Sequence, residues 1–434
     1  MASVYSKPTR NDERVRTLDF CRGIAVLGIF LCNICFMALP AEGVMSFSYR
    51  ETVPFLQNYM FIWSMFFDGT QRGLFSLLFG IGMLIFLQRN SEKIGAGPAA
   101  DLYFRRITFL FLFGLVNAYL FLWAGDILAP YALFTFLAFA FRNASQKMLI
   151  TISTVLILIS SLAIIPSSLS TLGDHEAYQK AQVLVKNGSE LSEEQQAAVD
   201  KWEKKPDPAE IKESVKVINA GLSGVWEHHI AELGFVLSFI YYSFFLDCIP
   251  LFFLGIVLYR IGVFKPDYPL AKLVYPGALL VMVAWLWRYV DAHYTTVVLD
   301  RVLLAYISPL SPIVRTALTI GYALLLVGGY RYLYQLFIAK AVVATGQMAL
   351  TNYLSQSIIG ALVFYGLGLY GALNGAEIAL VVFFVWGWQL TISPIWLHYF
   401  RFGPFEWMWR SLTYGQWQPF RKRSVQVNVA TTMP

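Results

Sequence analysis

The sequence predicts an all-α fold, a polytopic membrane helix bundle of about ten transmembrane helices with both termini cytoplasmic. Three observations carry this expectation. The 434 residues are 57% apolar and only 14% charged, whereas a soluble domain carries roughly 25% charged residues. Apolar runs of about 20 residues, enough to cross roughly 30 Å of hydrocarbon, recur along the chain, and none alternates as a half-buried strand would. Charge is also lopsided across such spans. With the N-terminus inside, 21 Lys/Arg fall on the inner side and 5 on the outer, once the long external loop is set aside because long loops translocate regardless of charge.

The spans centre, in order, near Val26, Leu78, Phe113, Phe134, Leu156, Phe252, Val281, Leu324, Ile358 and Val382. The first follows Arg10, Arg14 and Arg16, and its apolar stretch from Gly23 to Leu39 exceeds a signal-peptide core, so it reads as a retained span. The second carries Asp68 and Arg72 at its outer start, an i,i+4 pair expected to share a helix face. Behind them Gly69, Gly73, Ser76 and Gly80 form a small-residue stripe that admits a neighbouring helix. Spans three and four are joined by a short outer turn holding Asp126. After span five, Ser170 to Glu232 holds 7 of the 33 Lys/Arg and 12 of the 27 Asp/Glu. That segment reads as external helical pieces with breakers at Pro206 and Pro208, a solvated cap or a substrate contact. Asp247 lies within span six, with His228 and His229 just outside it. Span nine is polar at Thr345, Asn352, Ser355 and Gln356, and span ten ends in tryptophans that suit an interfacial belt. The organisation expected is an N-terminal bundle over 1–169, an external loop over 170–232, a C-terminal membrane region over 233–417 and a disordered tail over 418–434.

Several chemistries lose support at once. The net charge of +6 comes from no basic face, so nucleic acid is not an expected partner; the bilayer is. Cys21, Cys32, Cys35 and Cys248 sit in or beside apolar runs, without disulfide or zinc spacing. Five scattered histidines give no HExxH or similar ligand set, so no metal is expected, and neither a Gly-x-Ser-x-Gly elbow nor a phosphate-binding Gly-Lys-Ser/Thr loop is present. Ionisable groups inside spans are costly and mark function by default. Asn33, Asp68, Arg72 and Asp126 gather towards the outer level, and His229 could supply a base near neutral pH.

The runs Arg16-Thr-Leu-Asp19-Phe-Cys-Arg22-Gly23, Phe67-Asp68-Gly69-Thr-Gln-Arg72-Gly-Leu-Phe75-Ser76, Gly125-Asp126-Ile-Leu, Thr345-Gly346-Gln-Met-Ala-Leu-Thr-Asn352 and Gly403-Pro404-Phe-Glu406-Trp407 resemble the YeiB-like membrane proteins over nearly the whole chain. That family resembles in turn the heparan-α-glucosaminide N-acetyltransferases and, more distantly, the acyltransferase family 3 proteins. The resemblance implies acyl transfer from cytoplasmic acyl-CoA to a glycan, lipid headgroup or small-molecule acceptor on the outer face of a bacterial inner membrane. The heparan-type enzymes place a catalytic histidine after their first span, and the stretch Pro40 to Tyr59 here has none. The expected roles are Asp68 as base, Arg72 to orient it, Asn33 as donor to the carbonyl, and Asp126 and His229 as further catalytic candidates. Asp19, Arg22, Arg105 and Arg106 are expected at the acyl-CoA, and Asn352, Gln356 and Asp247 along a substrate path. A small-solute exporter and a non-catalytic membrane scaffold are the rival readings, and a homodimer is left open.

Overall fold

The structure is a computed structural model that describes residues 15–40, 44, 54–203 and 208–422. Among the described residues it is all-helical, with one isolated antiparallel bridge between Phe400 and Arg421. The helices are α1 (Arg16–Ala38), α2 (Pro54–Ile62), α3 (Thr70–Ile94), α4 (Ala96–Tyr119), α5 (Leu128–Phe139) and α6 (Gln146–Lys186), then α7 (Glu193–Glu203), α8 (Pro208–Asn219), α9 (Leu222–Arg260), α10 (Ala271–His293) and α11 (Arg301–Ile307). They are followed by α12 (Ser311–Leu333), α13 (Phe337–Gln347), α14 (Ala349–Gly360), α15 (Gly375–Tyr399) and α16 (Pro404–Tyr414). Among the described residues, six helical segments are long and apolar enough to cross a membrane: Arg16–Ala38, Phe55–Ile94, Gln146–Lys186, Ala271–Val298, Arg301–Leu333 and Gly375–Tyr399. The chain is a multi-pass membrane protein, and each of the ten expected centres falls within a separate helix or, for Ile358, in the second half of a broken one. Arg10, Arg14, most of the loop after α1 and the tail beyond residue 422 lie outside the described residues.

Central helices are held by glycine. On α3, Gly73 faces Thr319 of α12 and Gly80 faces the Phe252 carbonyl of α9, while Gly255 of α9 returns the contact onto the Leu77 carbonyl. A side chain at any of these three would meet backbone or a packed neighbour, so the small-residue stripe is a helix-packing surface. Its first expected member is different. Gly69 has a φ of +69° and ends the irregular turn that separates a short π-helix, Trp63–Phe67, from α3. On the other side of α1, Gly23 lies on the Val342 carbonyl of α13 and Gly346 on the Asp19 carbonyl, so the two helices touch backbone to backbone.

The connections explain the depth of the polar groups. After α4 the chain folds back, with Trp123 N–H donating to the Asn117 carbonyl at 3.1 Å, so that Asp126 packs against Gly114 inside the bundle. Asp126 is 1% exposed and serves α5: one oxygen accepts from Ala129 N–H at 2.9 Å, the other from Asn117 Nδ2 at 2.8 Å and from the Tyr353 hydroxyl at 3.4 Å. The helices α13 and α14 follow one another with a break at Met348, and Glu406 of α16 caps the second by accepting from Leu350 N–H at 2.7 Å and Thr351 N–H at 3.0 Å. Such orphan amides at a helix start require an acceptor when buried.

The segment expected to be external is not a separate loop at its edges. Helices α6 and α9 run unbroken through positions 170 and 232, and α7 folds back on α6 through Lys201–Asp174 at 2.7 Å and Tyr178–Glu203 at 2.9 Å. Arg301 covers the Trp202 ring at 3.9 Å and ties this extension to α11.

Substituting Gly346→Ala places a methyl group in the Asp19 carbonyl and is expected to lower stability by about 1 to 3 kcal/mol, the usual cost of overpacking. Gly329→Ala, on α12 with open space around it, is the control and is expected to leave the detergent melting temperature unchanged or slightly raised.

Candidate functional site

Two polar features stand out, one at each end of α3. The first is an ion network. Asp68, in the turn before α3, accepts from Arg288 of α10 at 2.9 Å through Oδ2, and its carbonyl accepts from the same guanidinium at 2.8 Å. Arg315 of α12 lies 3.7 Å from that carboxylate and also bonds Asp247 of α9. Arg72 donates to Asp247 at 2.7 Å. Asp291 lies 3.9 Å from Arg288 and accepts from Ser64 at 3.0 Å. Three aspartates and three arginines from α3 and its preceding turn, α9, α10 and α12 thus form one neutral cluster, which lowers the cost of burying each charge.

The expected Asp68–Arg72 pair is therefore replaced. The left-handed Gly69 breaks the helix between them, so the i,i+4 relation does not hold, and each finds its partners on other helices. Arg288, Asp291 and Arg315 were not among the expected site residues; the two arginines counted only towards the outer-side charge. The i,i+3 pair Arg288 and Asp291 inside an otherwise apolar helix was the available signal.

The other expected outer residues divide. Asn33 sits on α1 next to Cys32, whose Sγ approaches the Phe67 carbonyl at 4.0 Å, and is at the level of Asp68. His229 does not join them: it bonds the Ala118 carbonyl at 2.7 Å and lies on α9 some 27 Å of helical rise from Asp247, at ~1.5 Å per residue. The His228 side chain lies outside the described residues. Asn352 and Gln356 are buried in a packing network, Asn352 with Thr345 and Ser393, and Gln356 with Gln389 and the Val26 carbonyl of α1. Gln389 returns a bond to the Asn352 carbonyl. These amides satisfy the broken span and hold α14, α15 and α1 together.

The second feature is a cavity of about 270 Å³ at the opposite end of α3. Arg22, Arg89, Arg106 and Arg410 line it together with Asp19 and Glu406, and its deeper wall is apolar, with Phe75, Phe79, Leu110 and Leu128. From Asn90 to Phe75 the lining climbs α3 by ~22 Å at ~1.5 Å per residue. Arg22 pairs with Asp19 at 2.9 Å, while Arg106 meets no carboxylate among the described residues and lies over the Trp409 ring at 3.7 Å. Of the four residues expected at a donor, Asp19, Arg22 and Arg106 line this cavity and Arg105 does not; it reaches the Leu412 carbonyl at 3.4 Å instead. Arg89 and Arg410 are additions that only the tertiary packing of α3 and α16 brings in.

The cavity and the network are close in chain and space. Phe75 lies one turn of α3 from Arg72, and Tyr131, packed on Phe79 with ring centroids 5.0 Å apart, donates to the Arg72 carbonyl at 2.6 Å.

Fold and site together define a multi-pass helical membrane protein with an internal charge cluster and an arginine-lined cavity. Residues 258–416 match the family model described as "Protein of unknown function (DUF418)". The chain is 30% identical to the uncharacterized protein YxaH of Bacillus subtilis (strain 168), over 96% of this chain and 98% of that one. It is 28% identical to the uncharacterized protein YeiB of Escherichia coli (strain K12), over 92% and 96% respectively. The chain belongs to this YeiB-like family. No solved structure matches it.

A double-mutant cycle tests the pairing. Asp247→Asn, which leaves Arg72 without its carboxylate, is expected to cost up to about 3 kcal/mol, and Arg72→Gln less because Asp247 keeps Arg315, with the double variant losing clearly less than the sum. Coupling between Asp68→Asn and Arg72→Gln should be smaller, and the reverse order in melting data would refute the assigned partners.

Proposed function

We propose that the protein is a transmembrane acyltransferase that moves an acyl group from cytoplasmic acyl-CoA to a glycan, lipid headgroup or small-molecule acceptor on the outer face of the bacterial inner membrane. The observation that carries this reading is the cavity, cationic at one end and apolar along its length. Four guanidiniums suit the phosphates of a nucleotide-bearing donor, and the apolar wall suits its acyl arm. In this reading ten spans place both termini and the arginine-lined end in the cytoplasm, with α7 and α8 outside.

The chemistry asked of the protein is modest. The acceptor hydroxyl or amine attacks the thioester carbonyl, its proton passes to a base, the carbon–sulfur bond breaks, and CoA leaves as the thiol after gaining a proton. Asp68 suits the base: Arg288 and Arg315 both engage Oδ2, and Oδ1 accepts nothing among the described residues. Asn33, with no hydrogen bond of its own among the described residues, supplies an amide donor to the carbonyl oxygen, and Arg72 with Asp247 holds the wall behind them. The same amphiphilic cavity supports an exporter of an amphipathic anion as the second reading, distinguished by the absence of product formation.

Acyl-CoA is expected to stabilise the detergent-purified protein by roughly 2.7 kcal/mol at a hundred times Kd, and Arg22→Gln with Arg106→Gln to abolish that gain. A flat melting curve with acetyl-, succinyl- and octanoyl-CoA would remove the support for this reading. For the orientation, a cysteine introduced at Lys201 in a variant lacking the native cysteines is expected to react with an impermeant maleimide from the outer side. Labelling from the cytoplasmic side alone would invert the topology.

A further inference from the structure

Tyr103 is on α4, three residues before Arg106, and lines the same cavity. It is 3% exposed, and its hydroxyl has no hydrogen-bond partner among the described residues. The ring is fixed on several sides, with Phe86 at 6.0 Å, Phe104 at 6.0 Å and Phe139 at 5.6 Å between centroids. Phenylalanine would fill the same space without an unsatisfied donor, and the neighbouring positions show that phenylalanine fits this layer. A buried tyrosine hydroxyl normally finds a partner.

We infer that the Tyr103 hydroxyl is a binding group for the cavity's ligand, donating to a carbonyl or phosphate oxygen held one helical turn from the Arg106 guanidinium. The ligand class is a phosphate ester with a carbonyl oxygen shortly beyond its phosphate, a pantetheine amide in an acyl-CoA or a glycerol ester in a phospholipid. The arginines take the phosphate, Tyr103 takes the next acceptor, and the apolar wall near Leu110 takes the chain. This rests on the reading of the cavity as a donor site but extends it, since it fixes where along the cavity the polar part of the ligand stops. A soluble acyl-CoA and a membrane phospholipid share that chemistry.

The test is binding of octanoyl-CoA and, separately, dihexanoyl-phosphatidylglycerol to the full chain in detergent, for wild type, Tyr103→Phe and Arg106→Gln. Tyr103→Phe is expected to weaken the ligand that binds by about tenfold, to leave the ligand-free melting temperature unchanged or higher, and to retain the same wild-type selectivity between the two probes or lose part of it. A purely structural hydroxyl would instead lower the ligand-free melting temperature. Weakened octanoyl-CoA binding supports the inference with the soluble donor. Weakened phosphatidylglycerol binding without octanoyl-CoA binding supports it with a lipid ligand and overturns the acyl-CoA reading. Equal affinities for wild type and Tyr103→Phe overturn the inference and leave the acyl-CoA reading standing if octanoyl-CoA binds. Binding of neither probe overturns both.

Discussion

Burying charge inside a membrane bundle requires compensation, and at the start of α3 it is supplied collectively by three aspartates and three arginines. Asp68, Asp247 and Asp291 face Arg72, Arg288 and Arg315 across the start of α3, α9, α10 and α12. Because Arg315 contacts two of the aspartates, no helix of the four can shift without stretching an ion pair on another. The apolar packing of α3 on α9 through Gly73, Gly80 and Gly255 brings the backbones close enough for these side chains to reach. Tight packing and charge pairing are therefore one arrangement, each making the other affordable.

The two ends of α3 contrast. The network is neutral and internally paired, with Arg288 almost wholly buried. The lining of the cavity end includes, among the described residues, four arginines and two carboxylates, one of which, Glu406, is engaged in capping α14. These arginines stand beside an apolar space, a pattern that suits an anionic head with an apolar chain. Between the ends, Tyr131 and Phe79 pack on each other, and Tyr131 touches the backbone at Arg72. The chemistry proposed for Asp68 depends on this short separation.

Polar residues that interrupt a span are not all site residues. Asn352, Gln356 and Gln389 occupy an interior otherwise built of apolar side chains, yet their amides are spent on one another and on backbone freed by the break at Met348. Asp126 is spent likewise on the fold-back before α5. Asp68 differs in that both its arginine contacts fall on one oxygen.

The sequence by itself determined the helical membrane class and the packing role of Gly73 and Gly80, because apolar length and glycine spacing are local properties of the chain. It also grouped Asp19, Arg22, Arg105 and Arg106 at one level, since residues at the ends of apolar runs share a height, and of these Arg105 alone does not line the cavity. It misread Asp68 and Arg72 as partners because helical periodicity assumes an unbroken helix, and the left-handed turn at Gly69 lies between them. It could not enrol Arg288, Asp291 and Arg315 in the same cluster, or bring Arg89 and Arg410 to the cavity. Which side chain answers a buried charge is decided by which helices are neighbours, and neighbourhood among apolar helices is set by tertiary packing, where one greasy face reads much like another.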